Sequence, residues 1–68
     1  MDKERLPVSE RIKRARLEKN CTIHELATAC GVCDSAINNY ESGLRVPRDT
    51  IKPIMAEFLG VTVQDLFF

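Results

Sequence analysis

The chain has no excess of either charge, no long apolar run, a single histidine and an odd number of cysteines. Ten Lys and Arg against ten Asp and Glu exclude a polybasic tail or a nucleic-acid coat. No apolar stretch approaches the ~18 residues of a membrane span, and the charged start lacks the apolar segment of a secretory signal, so the chain reads as cytoplasmic. Cys21, Cys30 and Cys33 cannot close a complete disulfide framework and suit a reducing compartment as free thiols. One histidine, no carboxylate pair at useful spacing, no glycine-rich phosphate loop and no nucleophile beside a base argue against an enzyme, and no cofactor is called for. No repeat, low-complexity tract or linker divides residues 1–68, which read as one domain. A chain this short buries only about 60% of the surface it exposes when unfolded, so it must fold economically or bind a partner. Hydrophobic residues at 44% and charged ones at 29% are ordinary for a globular protein and set disorder aside.

What is present is unevenly placed. Residues 1–20 hold seven cations and four anions, a local charge of +3, so the remainder carries −3. Apolar spacing then divides the chain into five helical segments and no strand. Val8, Ile12, Ala15 and the stem of Lys19 form one face of a helix over about 8–19, with Pro7 suited to its first turn. Residues 1–7 precede it as an arm. Thr22-Ile23-His24-Glu25 has capping-box spacing and predicts a second helix that stops at Gly31. Cys33-Asp34-Ser35 opens a third, which Gly43 ends. After a loop over 44–48, Asp49 or Thr50 can cap a fourth helix that tolerates Pro53 in its first turn and carries Ile51, Ile54, Met55, Phe58 and Leu59. Gly60 ends it, and Thr62 to Leu66 offer a short fifth helix.

Two short helices joined around Gly31 make a helix-turn-helix over residues 22–42, with Leu26, Ala27, Cys30, Val32, Ile37 and Tyr40 facing the core. A competing pattern overlaps it. Cys21-x2-His24-x5-Cys30-x2-Cys33 contains four soft ligand types, but the helical register puts them on opposite sides of the second helix, so no metal centre is expected. His24 reads as an exposed helix residue.

Residues 8–67 resemble the Cro and phage-repressor type of helix-turn-helix domain, the xenobiotic response element family. The resemblance is carried by Ile12-Lys13-Arg14-Ala15-Arg16, Glu25-Leu26-Ala27, Gly31-Val32, Ile37-Asn38-Asn39-Tyr40-Glu41-Ser42-Gly43 and Leu59-Gly60-Val61-Thr62-Val63-Gln64-Asp65-Leu66. It implies a compact all-α, five-helix, lambda-repressor-like fold and a structural ion pair between Arg16 and Glu41. It also implies double-stranded DNA as partner. Cys33, Asp34, Ser35, Asn38 and Asn39 would lie on the exposed face of the third helix, with Asp34, Ser35, Asn38 and Asn39 at base edges and Asn39 foremost, since asparagine pairs bidentately with adenine. Thr22, Ile23, Ser42, Arg45 and Arg48 would meet phosphates, together with free backbone N–H groups at the start of the second helix.

Two positions depart from the family pattern. Ile23 stands where glutamine is common, and Asp34 where a basic or amide side chain is usual. Asp34 can accept from cytosine N4 or, alternatively, serve only as a first-turn carboxylate at the positive end of its helix. Leu66, Phe67 and Phe68 end the chain with more apolar surface than a short helix needs, which suggests a two-fold contact between copies; otherwise Leu66 and Phe67 complete the core. The reading is a sequence-specific DNA-binding transcriptional regulator, a repressor binding a pseudo-palindromic operator as a homodimer. The alternative is a protein-interaction module or antitoxin-type subunit on the same scaffold, which the zero net charge, Ile23 and Asp34 favour.

Overall fold

In the computed structural model, which describes residues 6–68, side-chain caps start the second and fifth of the five described helices, and glycine ends three. Helix α1 (Val8–Glu18) begins after Pro7, whose extended backbone places it just outside the helix rather than within the first turn. The Pro7 carbonyl accepts from Arg11 N–H, and the Leu6 carbonyl accepts from Arg11 Nε at 2.7 Å, so residues 6 and 7 are tied to α1. Residues 1–5, most of the expected arm, lie outside the described residues. Asn20, with φ of 60°, ends α1; asparagine is among the few side chains that tolerate this left-handed conformation.

Helix α2 (Ile23–Cys30) has the full capping box: Glu25 N–H donates to Thr22 Oγ1 at 3.0 Å, and Thr22 N–H donates to Glu25 Oε1 at 2.8 Å. Gly31 turns the chain at φ 71°, a conformation that a side chain would strain. Helix α3 (Asp34–Ser42) starts at Cys33, which makes no side-chain cap bond, and ends at Gly43. A Cβ added to Gly43 would sit 3.6 Å from Ser9 Oγ, so this turn also packs against the start of α1.

Helix α4 (Ile51–Leu59) departs from expectation, for neither Asp49 nor Thr50 caps it. Thr50 is already helical in φ and ψ, which turns its hydroxyl away from the first N–H groups. The Arg48 carbonyl instead accepts from Ile51 and Lys52 N–H, while Asp49 reaches Lys52 Nζ at 3.4 Å. Pro47, buried in the preceding loop, anchors this approach. Helix α5 (Val63–Phe67) is capped as expected, with Asp65 N–H donating to Thr62 Oγ1.

Ile12, Leu26, Ile37 and Met55, one from each of the first four helices, are the largest fully buried side chains. Helix α3 packs on α1 and α2, α2 also on α4, and α5 on α1 and α4. Among the described residues there are five helices and no strand. All six residues expected to face inward around the turn do so, Val32 only partly. Ile54 instead is 44% exposed. Lys19 lays its Nζ 5.4 Å from the centre of the Phe58 ring, so its stem extends the apolar face as the spacing predicts.

Candidate nucleic-acid interface

The third helix is fixed before it presents anything. Arg16 of α1 donates through Nε to Glu41 Oε2 at 2.6 Å and through Nη2 to Oε1 at 3.1 Å, and its Nη1 reaches the Cys21 carbonyl at 3.0 Å. The side chains are 10% and 7% exposed. This two-pronged geometry holds α3 in register on α1 and on the turn before α2. The bond to Glu41 also raises the affinity of the guanidinium for its proton above an already high value.

With Ile37 and Tyr40 inward, helical periodicity turns Ser35, Asn38, Asn39 and Ser42 outward. Ser35, Asn38 and Ser42 are exposed and Asn39 is half-buried. The Asn39 carbonyl accepts from Leu44 and Arg45 N–H and from Ser42 Oγ, which pins the end of the helix. Among the described residues no group bonds the Asn38 or Asn39 side-chain amides, so both retain their donors and acceptors.

The flanks of α3 are cationic. On one side, a groove is lined by Lys13, Arg16, Ile23, Asn38, Glu41 and Ser42. On the other, Arg45 and Arg48 border a groove with Cys33, Ala36 and Tyr40. Both of these arginines are exposed, and neither enters an ion pair among the described residues. At the start of α2 the capping box occupies the Thr22 and Glu25 N–H groups and leaves those of Ile23 and His24 open. The Ile23 side chain packs against the core, so only its backbone can meet an anion. Asp34, the first residue of α3, accepts from His24 Nδ1 at 3.0 Å across the turn.

The helix-turn-helix family profile matches residues 12–66. The chain belongs to the Cro/C1-type helix-turn-helix family. Among solved structures this helix-turn-helix chain is similar to the crystal structure of SinR, the master regulator for biofilm formation, in complex with DNA: 32% identity, a TM-score of 0.79, and coverage of 87% of this chain and 95% of that one. No curated protein sequence matches.

Two members of the helix-turn-helix surface escaped the sequence reading. Lys13 lies three residues before Arg16 on the same face of α1 and lines one groove with Asn38, Glu41 and Ser42; the signal was in the spacing from Arg16. The His24–Asp34 contact joins two helices through their exposed first turns, and no periodicity announces it.

Leu66 and Phe67 are buried within the protomer, 2% and 7% exposed, because α5 closes the core over α1 and α4; of the expected partner-facing trio only Phe68, at 65%, faces outward. Lys52 Nζ lies 5.5 and 5.6 Å from the centres of the Phe67 and Phe68 rings. Cys21 and Cys30 are buried core thiols and Cys33 is exposed. Burial pushes the Cys30 thiol up, and burial followed by the nearby Glu25 does the same for Cys21. Among the described residues no three His, Cys, Asp or Glu side chains converge on a point where they could hold a metal ion. Nor is any described helix long and apolar enough to cross a membrane.

Proposed function

We propose that the chain is a sequence-specific DNA-binding transcription regulator that places α3 in the major groove, and that it represses by occluding a promoter. The observation that carries this reading is the outward face of α3, with unengaged Asn38 and Asn39 amides between Lys13 on one flank and Arg45 and Arg48 on the other. Amides read base edges, and cations on both sides meet the two phosphate backbones bordering a major groove. Family membership and the likeness to SinR, solved in complex with DNA, support the same reading.

Asn39 is the foremost adenine reader, Ser35 and Asn38 stand beside it, and Asp34 lies over the base nearest the helix start. Thr22, Ser42, Lys13, Arg45 and Arg48, with the free N–H groups of Ile23 and His24, make the phosphate contacts. Two copies bind a pseudo-palindrome with their recognition helices about 34 Å apart. Protomer dimensions of 34 × 23 × 23 Å allow two copies side by side at that spacing.

Enrichment of duplexes from a random pool tests the proposal. A two-half-site motif is expected, and Asn39→Ala should relax one position in each half while lowering affinity about 5- to 150-fold per half-site, the equivalent of about 1–3 kcal/mol. A pool with no enriched motif would instead favour a protein-interaction module. That second reading is favoured by two carboxylates, Glu25 and Asp34, at the end of the site that would approach phosphate.

A further inference from the structure

We infer that His24 is a positioning residue that holds the Asp34 carboxylate as a hydrogen-bond acceptor for one base, so that the first turns of α2 and α3 jointly choose that base pair. The inference rests on the proposed insertion of α3 into DNA. His24 Nδ1 lies 3.0 Å from Asp34 Oδ1 and 3.4 Å from Oδ2. The side chains are 78% and 53% exposed, so the contact is no part of the core, and an exposed pair of this kind adds little to stability. Its position gives it a different use. Asp34 is the first residue of α3, and the amino-terminal residues of a recognition helix are those that meet base edges.

A carboxylate can only accept hydrogen bonds. In the major groove cytosine presents the N4 donor without an adjoining N7 acceptor on the same base, whereas adenine and guanine both place N7 there, so a lone acceptor selects cytosine. A carboxylate free to rotate would make this choice poorly. The His24 ring bonds it from the α2 side, and the His24 backbone is held inside the Thr22–Glu25 capping box, in a helix joined to α3 through the Gly31 turn. Bonding on the α2 side leaves the outward lone pairs of Asp34 for a base. The departure from the usual basic or amide side chain at this position thereby becomes a two-residue reader.

The test compares binding of the wild type, His24→Ala, His24→Gln and Asp34→Asn to duplexes varied one base pair at a time. The wild type should prefer cytosine at one position per half-site. His24→Ala should reduce that preference about fivefold or more, leaving preferences elsewhere intact, while His24→Gln, whose amide can still donate, should restore much of it. Asp34→Asn should move the preference from cytosine to adenine at the same position. In the free protein, the imidazole 15N spectrum should show the Nδ1-protonated tautomer in the wild type and lose it in Asp34→Ala, which removes both acceptor oxygens. Thermal unfolding of His24→Ala at the wild-type temperature separates positioning from folding. A motif that His24→Ala leaves unaltered at every position overturns this inference alone. A wild type that enriches no motif overturns the DNA-binding reading and this inference with it.

Discussion

Arg16 is bonded by three nitrogens to Glu41 and the Cys21 carbonyl, at 2.6 to 3.1 Å. Removing one partner strands a desolvated charge, so Glu41→Ala should lower unfolding free energy by about 3–5 kcal/mol in urea titrations. A double variant that also replaces Arg16 with methionine should lose less than the sum of the two single changes, and strict additivity would show that the pair does not act as a unit. The cysteines give a pH-dependent counterpart. Cys21 and Cys30 hold their thiol protons more tightly when folded than a thiol's ordinary value of 9.0. Below that value both states are protonated and the stabilisation is complete; above it the unfolded chain ionises first, so stability falls as pH rises. The melting temperature should therefore drop from pH 8 to pH 10, less steeply in Cys30→Ala. A thiol reagent at neutral pH should label Cys33 alone in the folded chain and all three cysteines after denaturation. At this scale the ion pair was legible through the family resemblance, whereas Lys13 was missed although its spacing from Arg16 carried the signal. The sequence did not show the His24–Asp34 contact, which depends on the angle between two helices.

Among the helices, caps that look alike in sequence differ in effect. Thr22 and Thr62 stand in extended backbone and accept from the N–H three residues on, whereas Thr50 is already helical and makes no such bond. Thr22→Ala and Thr62→Ala should each cost about 1 kcal/mol, and Thr50→Ala should stay within about 0.5 kcal/mol, all read from denaturant midpoints at constant m-value. Equal losses at the three sites would show that Thr50 caps α4 in solution. The five helices, their glycine stops and the inward faces of α2 and α3 were legible because local chemistry and core packing agree there. The start of α4 was not, because the route of the loop is set by the burial of Pro47 and by the Arg48 carbonyl, both tertiary matters. The outward face of α3 was legible as a face; the closure of Leu44 N–H, Arg45 N–H and Ser42 Oγ on the Asn39 backbone carbonyl, which ends the helix, was not.

For the whole molecule, the balance of ten charges against ten conceals a division of labour. Of the described cations, Arg16 is committed to Glu41, Lys19 lies over Phe58, and Lys52 is held near Asp49 and the carboxy-terminal rings. Lys13, Arg45 and Arg48 remain beside α3 on its two flanks. If these three supply the side-chain phosphate contacts, log K should fall with log salt at a slope of about −2.7 per protomer, from −0.9 for each neutralised phosphate. Under the proposed function, so shallow a dependence would leave specificity to the face of α3 and to pairing of copies. Phe68, exposed where Leu66 and Phe67 are buried, is the carboxy-terminal residue available to such pairing. Phe68→Ser should then weaken cooperative binding to a two-half-site duplex without altering the melting temperature or the slope per protomer. Arg48→Gln should do the opposite, flattening the slope by about 0.9 while leaving base preference and cooperativity in place. A slope much steeper than −2.7 that Arg48→Gln leaves unchanged would move the electrostatic contact away from the flanks of α3 to other parts of the basic first twenty residues.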